Sequence, residues 1–387
     1  MHPTFEYIVT VLILSLLIGF SFYSLNSMSS TQLVFTKESQ LDQVANNLFN
    51  KILMTPGYPT DWGRNIYINE SNLEDFGLAS TTGIPYQLDV DKIMRLVRET
   101  GNTTNPLYIS PEKVGSLTGL YVDGHWNYGF KLVIYSALNI SIVPVNPDES
   151  PPSKYIVRVH DYLGRPASNA YVKGILYAAY VETGPRRGFK VISSEAYNYT
   201  SMEGITILNF DISEIPSMRA AYVVLVNAYY YGLKSQGIWT KASVLNLVIE
   251  GDYIIINMST LGNIIPSARH LYLTAIEFTS NQGVILNPIE NATDSEDGKI
   301  INKGRYNYRV YKLKNGITDD VVFIGLLIKT TGKYYIAFSP RPRIPIVLEY
   351  SSHSFSIHGL RTKTLYSLFK IGDYTYYVEL YVWRMSE

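Results

Sequence analysis

Cysteine is absent from the 387 residues. That excludes a disulfide scaffold, an iron–sulfur cluster, a Cys-ligated zinc finger and a thiol nucleophile. Charge is scarce as well: Asp, Glu, Lys and Arg make up 17% of the chain, and 33 basic residues balance 33 acidic ones. A nucleic-acid binder needs a basic surplus to displace counterions, so nucleic acid is not an expected partner. The six histidines are His2, His125, His160, His270, His353 and His358. None forms His-x-x-x-His or His-Glu-x-x-His, and on one strand His353 and His358 would point to opposite faces. The Gly-x-Ser-x-Gly elbow, the phosphate-cradling loop and the dinucleotide fingerprint are also missing. Asp294-Ser-Glu-Asp-Gly298 is an acidic turn that departs from EF-hand spacing, with Gly in place of the final Glu. No catalytic residue, metal ligand or cofactor is therefore assigned, and the expectation is a protein that is not an enzyme.

Proline and glycine are missing where a long helix would need them to be. No Pro lies between Pro3 and Pro56, and no Gly between Gly19 and Gly57. Tyr7 to Thr36 carries no charge, and its apolar heart is Tyr7–Leu25. Nineteen residues at about 1.5 Å each reach about 28 Å, close to a hydrocarbon core of about 30 Å. A secretory signal peptide would need a basic start and a small-residue cleavage site, and neither is present. The expectation is an uncleaved transmembrane anchor with lipid as its partner. Leu41, Val44, Ala45, Leu48, Ile52 and Leu53 continue a helical period beyond it, with Lys37, Glu38, Asp42 and Lys51 between them. One helix is predicted over 1–54, with a possible bend in the serine-rich stretch 21–31, ended by Thr55-Pro56-Gly57.

What is abundant is tyrosine, 33 against 14 phenylalanines. Tyrosine favours pleated, half-wet strands. Residues 55–145 read as a small α+β unit, with a short helix over Asp89–Arg98 and strand pattern from Tyr128 to Val145. Residues 144–152 hold four prolines, and 146–153 reads as a stiff linker. Residues 154–259 show about seven short strands separated by turns, the pattern of an immunoglobulin-like β-sandwich. Residues 260–387 repeat that style as a second sandwich. The predicted fold class is mainly β: a long N-terminal transmembrane helix, a small α+β head and two Ig-like sandwiches.

Leu53-Met-Thr-Pro-Gly-Tyr-Pro-Thr-Asp-Trp-Gly63 resembles archaeal type IV pilin-like surface proteins, in which a long hydrophobic helix meets a Pro-Gly-x-Pro-x-x-Trp turn. Phe76–Ser80, Tyr86–Ile93 and Tyr128–Ile134 look like the head that follows in such proteins, so the resemblance spans about residues 1–145. It implies a role for Pro56, Gly57, Pro59 and Trp62 in the turn. It also gives Glu6 two readings: a carboxylate at the headgroups, or the pilin glutamate that neutralises a neighbour's N-terminal amine. Unlike pilin signal peptides, Met1–Glu6 carries no Lys or Arg. Asp161–Val172 is similar to the first hairpin of Ig-like surface repeats.

The expected partners are the membrane and, by resemblance, identical or related pilin-like subunits or surface-layer components. The expected location is the cell membrane, single-pass, with the N-terminus inside and the bulk outside. A pilin-like subunit, minor pilin or adhesin and a solitary anchored receptor for carbohydrate or peptide both fit. Asn69, Asn102, Asn139, Asn198, Asn257 and Asn291 head Asn-x-Ser/Thr acceptors for glycosylation. Tyr229–Tyr231, Tyr334-Tyr335 and Tyr374 through Tyr381 are candidates for stacking on sugars or neighbouring subunits. Arg186-Arg187 and Arg341-Pro-Arg343 are basic spots.

Overall fold

A computed structural model describes residues 3–100, 103–181, 189–215, 221–240, 247–257, 272–279, 284–288, 300–303, 306–313, 317, 321–330, 333–340, 347–353 and 361–385. Helix α1 (Pro3–Met54) comes first, followed by β1 (Gln87–Leu88) and helix α2 (Val90–Met94). Two small hairpins follow: β2 (Glu99–Thr100) with β3 (Thr103–Thr104), and, after helix α3 (Pro111–Thr118), β4 (Tyr121–Val122) with β5 (His125–Trp126). Then come β6 (Tyr128–Ser136), β7 (Leu138–Pro144), β8 (Lys154–Asp161), β9 (Tyr171–Val181), β10 (Phe189–Tyr199), β11 (Ile205–Asn209), β12 (Ala221–Tyr230) and β13 (Leu233–Thr240). The next group is β14 (Leu247–Glu250), β15 (Tyr253–Asn257), β16 (Tyr272–Thr279), β17 (Val284–Pro288), β18 (Ile300–Lys303), β19 (Tyr306–Lys312), β20 (Val321–Thr330) and β21 (Lys333–Pro340). The chain closes with β22 (Val347–Ser351), β23 (Thr362–Ile371) and β24 (Tyr374–Arg384). The fold is mainly β with one long apolar N-terminal helix.

Helix α1 runs without interruption to Met54, as predicted, through the serine-rich stretch whose modest helix propensity left room for a bend. Ser15 and Ser21 return their hydroxyls to the carbonyls of Val11 and Leu17, at 2.7 and 2.8 Å, so these side chains spend their donors on the helix itself. The helix stops where the sequence says it must. Gly57 takes φ +72°, and a Cβ there would stand 2.7 Å from the Asp75 carbonyl oxygen, so only glycine fits.

The second half of α1 builds the head. Ala45, Leu48, Ile52 and Leu53 are buried under a five-stranded sheet of order β1-β23-β24-β6-β22. The inner face of that sheet supplies Phe130, Leu132 and Ile134 from β6, Leu348 and Tyr350 from β22, Phe369 and Ile371 from β23, and Val378, Leu380 and Val382 from β24. Alternation with period two puts these residues on one face and their neighbours on the other. At the rim, Arg361 and Lys363 reach Glu38 and Asp42 of α1, at 3.2 and 3.0 Å.

This sheet corrects the expected domain boundaries. The last three strands, assigned from sequence to a second sandwich over 260–387, pair with β6 in the head. Tyr135 faces Val347 on β22 and Tyr377 on β24. The chain therefore leaves the head after Ser136 and re-enters at Val347, one register position away. Strand β7, placed with the head by sequence, pairs instead with β8. The proline-rich segment 146–153 is the loop of that β7–β8 hairpin rather than a spacer, with Pro151 and Pro152 buried and the Val145 amide donating to the Lys154 carbonyl at 2.9 Å. Proline fixes φ and removes donors in a tight loop as well as in a linker, so composition could not separate the two.

The first inserted unit is a two-layer sandwich. Sheet β10-β9-β12-β13 faces sheet β11-β8-β7, and one core joins Leu138, Tyr155, Val157 and Leu208 from the second to Val172, Leu176, Val224 and Val226 from the first. The second unit holds sheets β14-β15-β19-β18 and β17-β16-β20-β21. Strands β14 and β15, in the stretch placed by sequence in the first sandwich, turn at Gly251 (φ +54°) and belong to the second unit. Val248, Ile255, Tyr308 and Val310 of that unit pack on Ile66 and Leu107 of the head.

Replacing 138–346 by a short glycine-containing loop should leave a head that folds. The measurement is thermal unfolding followed by circular dichroism. We expect one cooperative transition, at a lower temperature than in the full chain because the contacts of Ile66 and Leu107 are lost. A non-cooperative product would contradict the insertion topology.

Candidate functional site

The Pro-Gly-x-Pro-x-x-Trp turn closes into a collar at the end of α1. Trp62 is 0% exposed, and its indole N–H is shared between the Pro56 and Gly77 carbonyls, each at 3.2 Å. Phe76 meets it at 5.6 Å between ring centroids. The Tyr58–Pro59 peptide is cis, and the Pro59 carbonyl accepts from the Trp62 amide at 3.1 Å. The Tyr58 amide in turn donates to the Asp75 carbonyl at 3.0 Å, while the Asp75 carboxylate holds Lys51 of α1 at 2.5 Å.

Two buried cations complete the collar, and sequence reading missed both. Lys92 is 0% exposed; its ammonium donates to the Pro56 carbonyl at 2.8 Å and the Ala79 carbonyl at 3.0 Å, and lies 5.9 Å from the Trp62 ring centroid. Arg95, equally buried, donates to the Ile68 carbonyl at 2.6 Å and the Asn65 carbonyl at 2.8 Å, with its guanidinium carbon 5.8 Å from the same ring centroid. Indole is the best ring for cations, so one Trp gathers a Lys and an Arg from one short segment. The available signal was their spacing: residues three apart on a helical turn share a face. The segment itself is fixed by Asp89, the N-cap of α2, whose carboxylate accepts from the Asp91 and Lys92 amides at 2.9 and 3.2 Å. Burial first, and then the Asp91 charge, push the Asp89 carboxyl above its usual 3.8. Burial also lowers the Lys92 ammonium from its usual 10.5, against the pull of Asp89 and Asp61.

Below the collar, Tyr7–Leu25 of α1 is long and apolar enough to cross a membrane, and none of that stretch is buried in the protein. Glu6 lies in the first turns of the helix, and its side chain falls outside the description. The collar and the span are thus two ends of one element.

The acceptor asparagines separate by accessibility. Asn69 is exposed, with its carbonyl oxygen accepting from the Ser71 amide at 2.8 Å, and Asn139 is exposed on β7. Asn198 is exposed, yet its amide donates to the Ile207 carbonyl at 3.2 Å and Thr200 of its motif is buried. Asn257 is 1% exposed, which removes it from the reach of a transferase acting on the folded chain. Asn102, Asn291, His2, His270, His358, Asp294–Gly298, Arg186-Arg187 and Arg341-Pro-Arg343 lie outside the described residues. Among the described residues no three His, Asp or Glu side chains gather as a metal site. His353 instead packs edge-on against Trp126 at 5.5 Å and meets the Ser352 hydroxyl at 3.0 Å.

The tyrosine runs divide between core and surface. On β24, Tyr374 and Tyr376 point inward and Tyr377 and Tyr381 outward. Both oxygens of Glu379, between the outward pair, accept phenol hydrogens at 2.5 Å, one from Tyr135 and one from Tyr381. Burial and the bond to that carboxylate push the Tyr381 phenol up to about 12, and Tyr135 rises for the same causes. Tyr231 is 90% exposed at the β12–β13 turn, while the side chains of Tyr334 and Tyr335 lie outside the described residues.

The chain matches no protein-family model and no curated protein sequence.

Trp62→Ala should destabilise the head by about 3–5 kcal/mol through the cavity it leaves. Trp62→Phe should cost about 1–3 kcal/mol, because buried carbonyls lose their shared donor. Denaturant unfolding of detergent-solubilised protein reads both. Lys92 carries a pH signature. Its folded-state affinity for a proton is lowered, so the unfolded chain binds more protons below 10.5, and stability from this group rises as pH climbs toward that value. Relative to Lys92→Met, the native protein should gain stability as pH rises toward 10.5. A flat difference would contradict the burial of the ammonium.

Proposed function

We propose that this protein is a pilin-like cell-surface protein, held in the membrane by the first half of α1 and displaying two inserted β-units beyond a compact head. The observation that carries this reading is the division of one 52-residue helix: Tyr7–Leu25 is bare and apolar, while Ala45 to Leu53 forms the floor of the head. A helix that is both anchor and core ties whatever the head displays rigidly to the membrane. The collar at Pro56–Trp62 supports the same reading, since it fixes the direction in which the chain leaves the helix. The proposed orientation has the N-terminus inside and the β-units outside. The first inserted unit, two facing antiparallel sheets, agrees with an Ig-like module, and the second is proposed to follow it. Adhesion or lateral contact with related subunits is the proposed role of the display, with Glu6 the residue that would neutralise a neighbour's amine. The exposed asparagines Asn69 and Asn139 are the proposed glycan acceptors.

A second reading, an anchored carbohydrate receptor not assembled in a filament, draws support from the tyrosine-rich outer face of the head sheet around Glu379.

Removing residues 1–30 tests the anchor. The full chain should partition with membranes and require detergent; the truncated chain should be soluble, folded and β-rich. A truncated product that stays with membranes, or a full chain that does not, would overturn the reading. Electron microscopy of sheared surface filaments, with peptide mass spectrometry for residues 154–387, separates subunit from solitary anchor.

A further inference from the structure

The head sheet has a second face, opposite α1, and register fixes what stands on it. Across β23, β24, β6 and β22, one row reads Leu368, Tyr377, Tyr135, Val347, and the next reads Tyr366, Glu379, Val133, Glu349. Tyr366 is 75% exposed. Tyr135 and Tyr377 stack at 5.6 Å with their planes 20° apart. From the first inserted unit, Tyr162 in the β8–β9 loop leans over the same rings, 4.0 Å from Tyr377 and 5.8 Å from Tyr135, and is itself 40% exposed. That loop is stiffened by Asp161, which accepts from the Leu163 and Arg165 amides at 2.9 Å and pairs with the Arg165 side chain at 2.7 Å. The result is a corner in which the half-buried rings of Tyr135 and Tyr377 form the floor and Tyr162, resting on Tyr377, forms the wall.

We propose that this corner binds a neutral glycan chain, with Tyr366, Tyr377 and Tyr162 packing on the apolar ring faces and Glu379 with its two phenols taking sugar hydroxyls. The proposal rests on the second reading above and gives it a site. Three features favour this occupant. The floor spans two interstrand gaps from Tyr366 to Tyr135, about 10 Å, and four residues from Tyr377 to Tyr381, about 13 Å, which is room for a short stretch of saccharide. Each Glu379 oxygen spends one lone pair on a phenol and keeps another, and each phenol oxygen still accepts, so the centre of the floor offers several directional partners to hydroxyls. Lys131 is matched by Glu349 at 2.8 Å and Arg165 by Asp161, so these two basic groups beside the rings are already engaged by carboxylates rather than offered to an acidic polymer. A second copy docking this face on itself would bring Glu379 against its own mate across the two-fold axis, a like-charge contact that disfavours self-association.

The test uses the full chain in a polyoxyethylene detergent, which has no sugar headgroup to compete. The probes are hydroxyethyl cellulose, mannan and xylan in affinity electrophoresis, with alginate as the acidic counterpart, and cellohexaose and mannohexaose in calorimetry. We expect retardation by at least one neutral glycan. Tyr366→Ala and Glu379→Gln should each weaken binding about tenfold, the size of one lost aromatic contact or one charge-assisted hydrogen bond. Tyr67→Ala, an exposed position in the turn that holds Arg95, should leave it unchanged. No retardation by any neutral probe, retardation by alginate alone, or neutral binding untouched by Tyr366→Ala would overturn the proposal. So would sedimentation showing an oligomer that Tyr366→Ala dissolves, since the occupant would then be a second copy. None of these variants touches Tyr7–Leu25, so membrane retention is read independently. Failure to bind glycan leaves the anchor standing, and failure of the anchor leaves Tyr366-dependent binding measurable.

Discussion

The packing of α1 against the head sheet is the constraint from which the rest follows. A helix whose first half faces no protein surface cannot be held by its own propensity in water, but its second half buries Leu48, Ile52 and Leu53 against strands from both ends of the chain. That one seam turns a helix long and apolar enough to cross a membrane into a structural pillar. It also explains why the collar is so densely bonded. Where the chain leaves the helix, the Pro56 carbonyl takes both the Trp62 indole and the Lys92 ammonium, so the exit direction is set by buried hydrogen bonds that water cannot replace.

The head is closed by strands that arrive after some two hundred intervening residues. Because β6 and β22 are direct neighbours, the inserted units add reach without changing the sheet that carries them. They are not free appendages. The Ser235 hydroxyl accepts from the Ser136 hydroxyl at 3.0 Å, Gln236 donates to the Tyr374 phenol at 2.6 Å, and Arg64 donates to the Ile317 carbonyl at 3.2 Å. Each inserted unit thus touches the head, and the first carries Tyr162 over the head's outer face.

Much of this was legible in the sequence, and the losses have definite causes. The absence of Pro and Gly announced α1, and Thr55-Pro56-Gly57 announced its end. Tyr171–Val181 reads as a strand from its own pattern and is one. Strand pattern says where a strand is but not which strand it pairs with, so β22 to β24 were assigned to the wrong unit. In Thr362–Ile371 the outward positions include Tyr366 and Leu368, which blur the alternation that would mark its inner face. In the collar, Trp62 stood out by its motif. Lys92 and Arg95 did not, because charged residues in a short helical turn look like a solvated face until the ring between them is seen. The Glu379 centre joins β24 to β6, two strands far apart in the chain, which no local pattern encodes.

The topology of the head is the central claim, and carbodiimide cross-linking of the native protein reads it directly, since this reagent joins only carboxylates and amines already in contact. The ion pairs Lys363–Asp42 at 3.0 Å and Lys131–Glu349 at 2.8 Å bridge the terminal strands to α1 and to β6. Lys51–Asp75 at 2.5 Å, within the collar, serves as the internal standard. The account predicts all three cross-linked peptides by mass spectrometry. Recovery of the 51–75 link without 42–363 or 131–349 would mean that the last strands do not close the head.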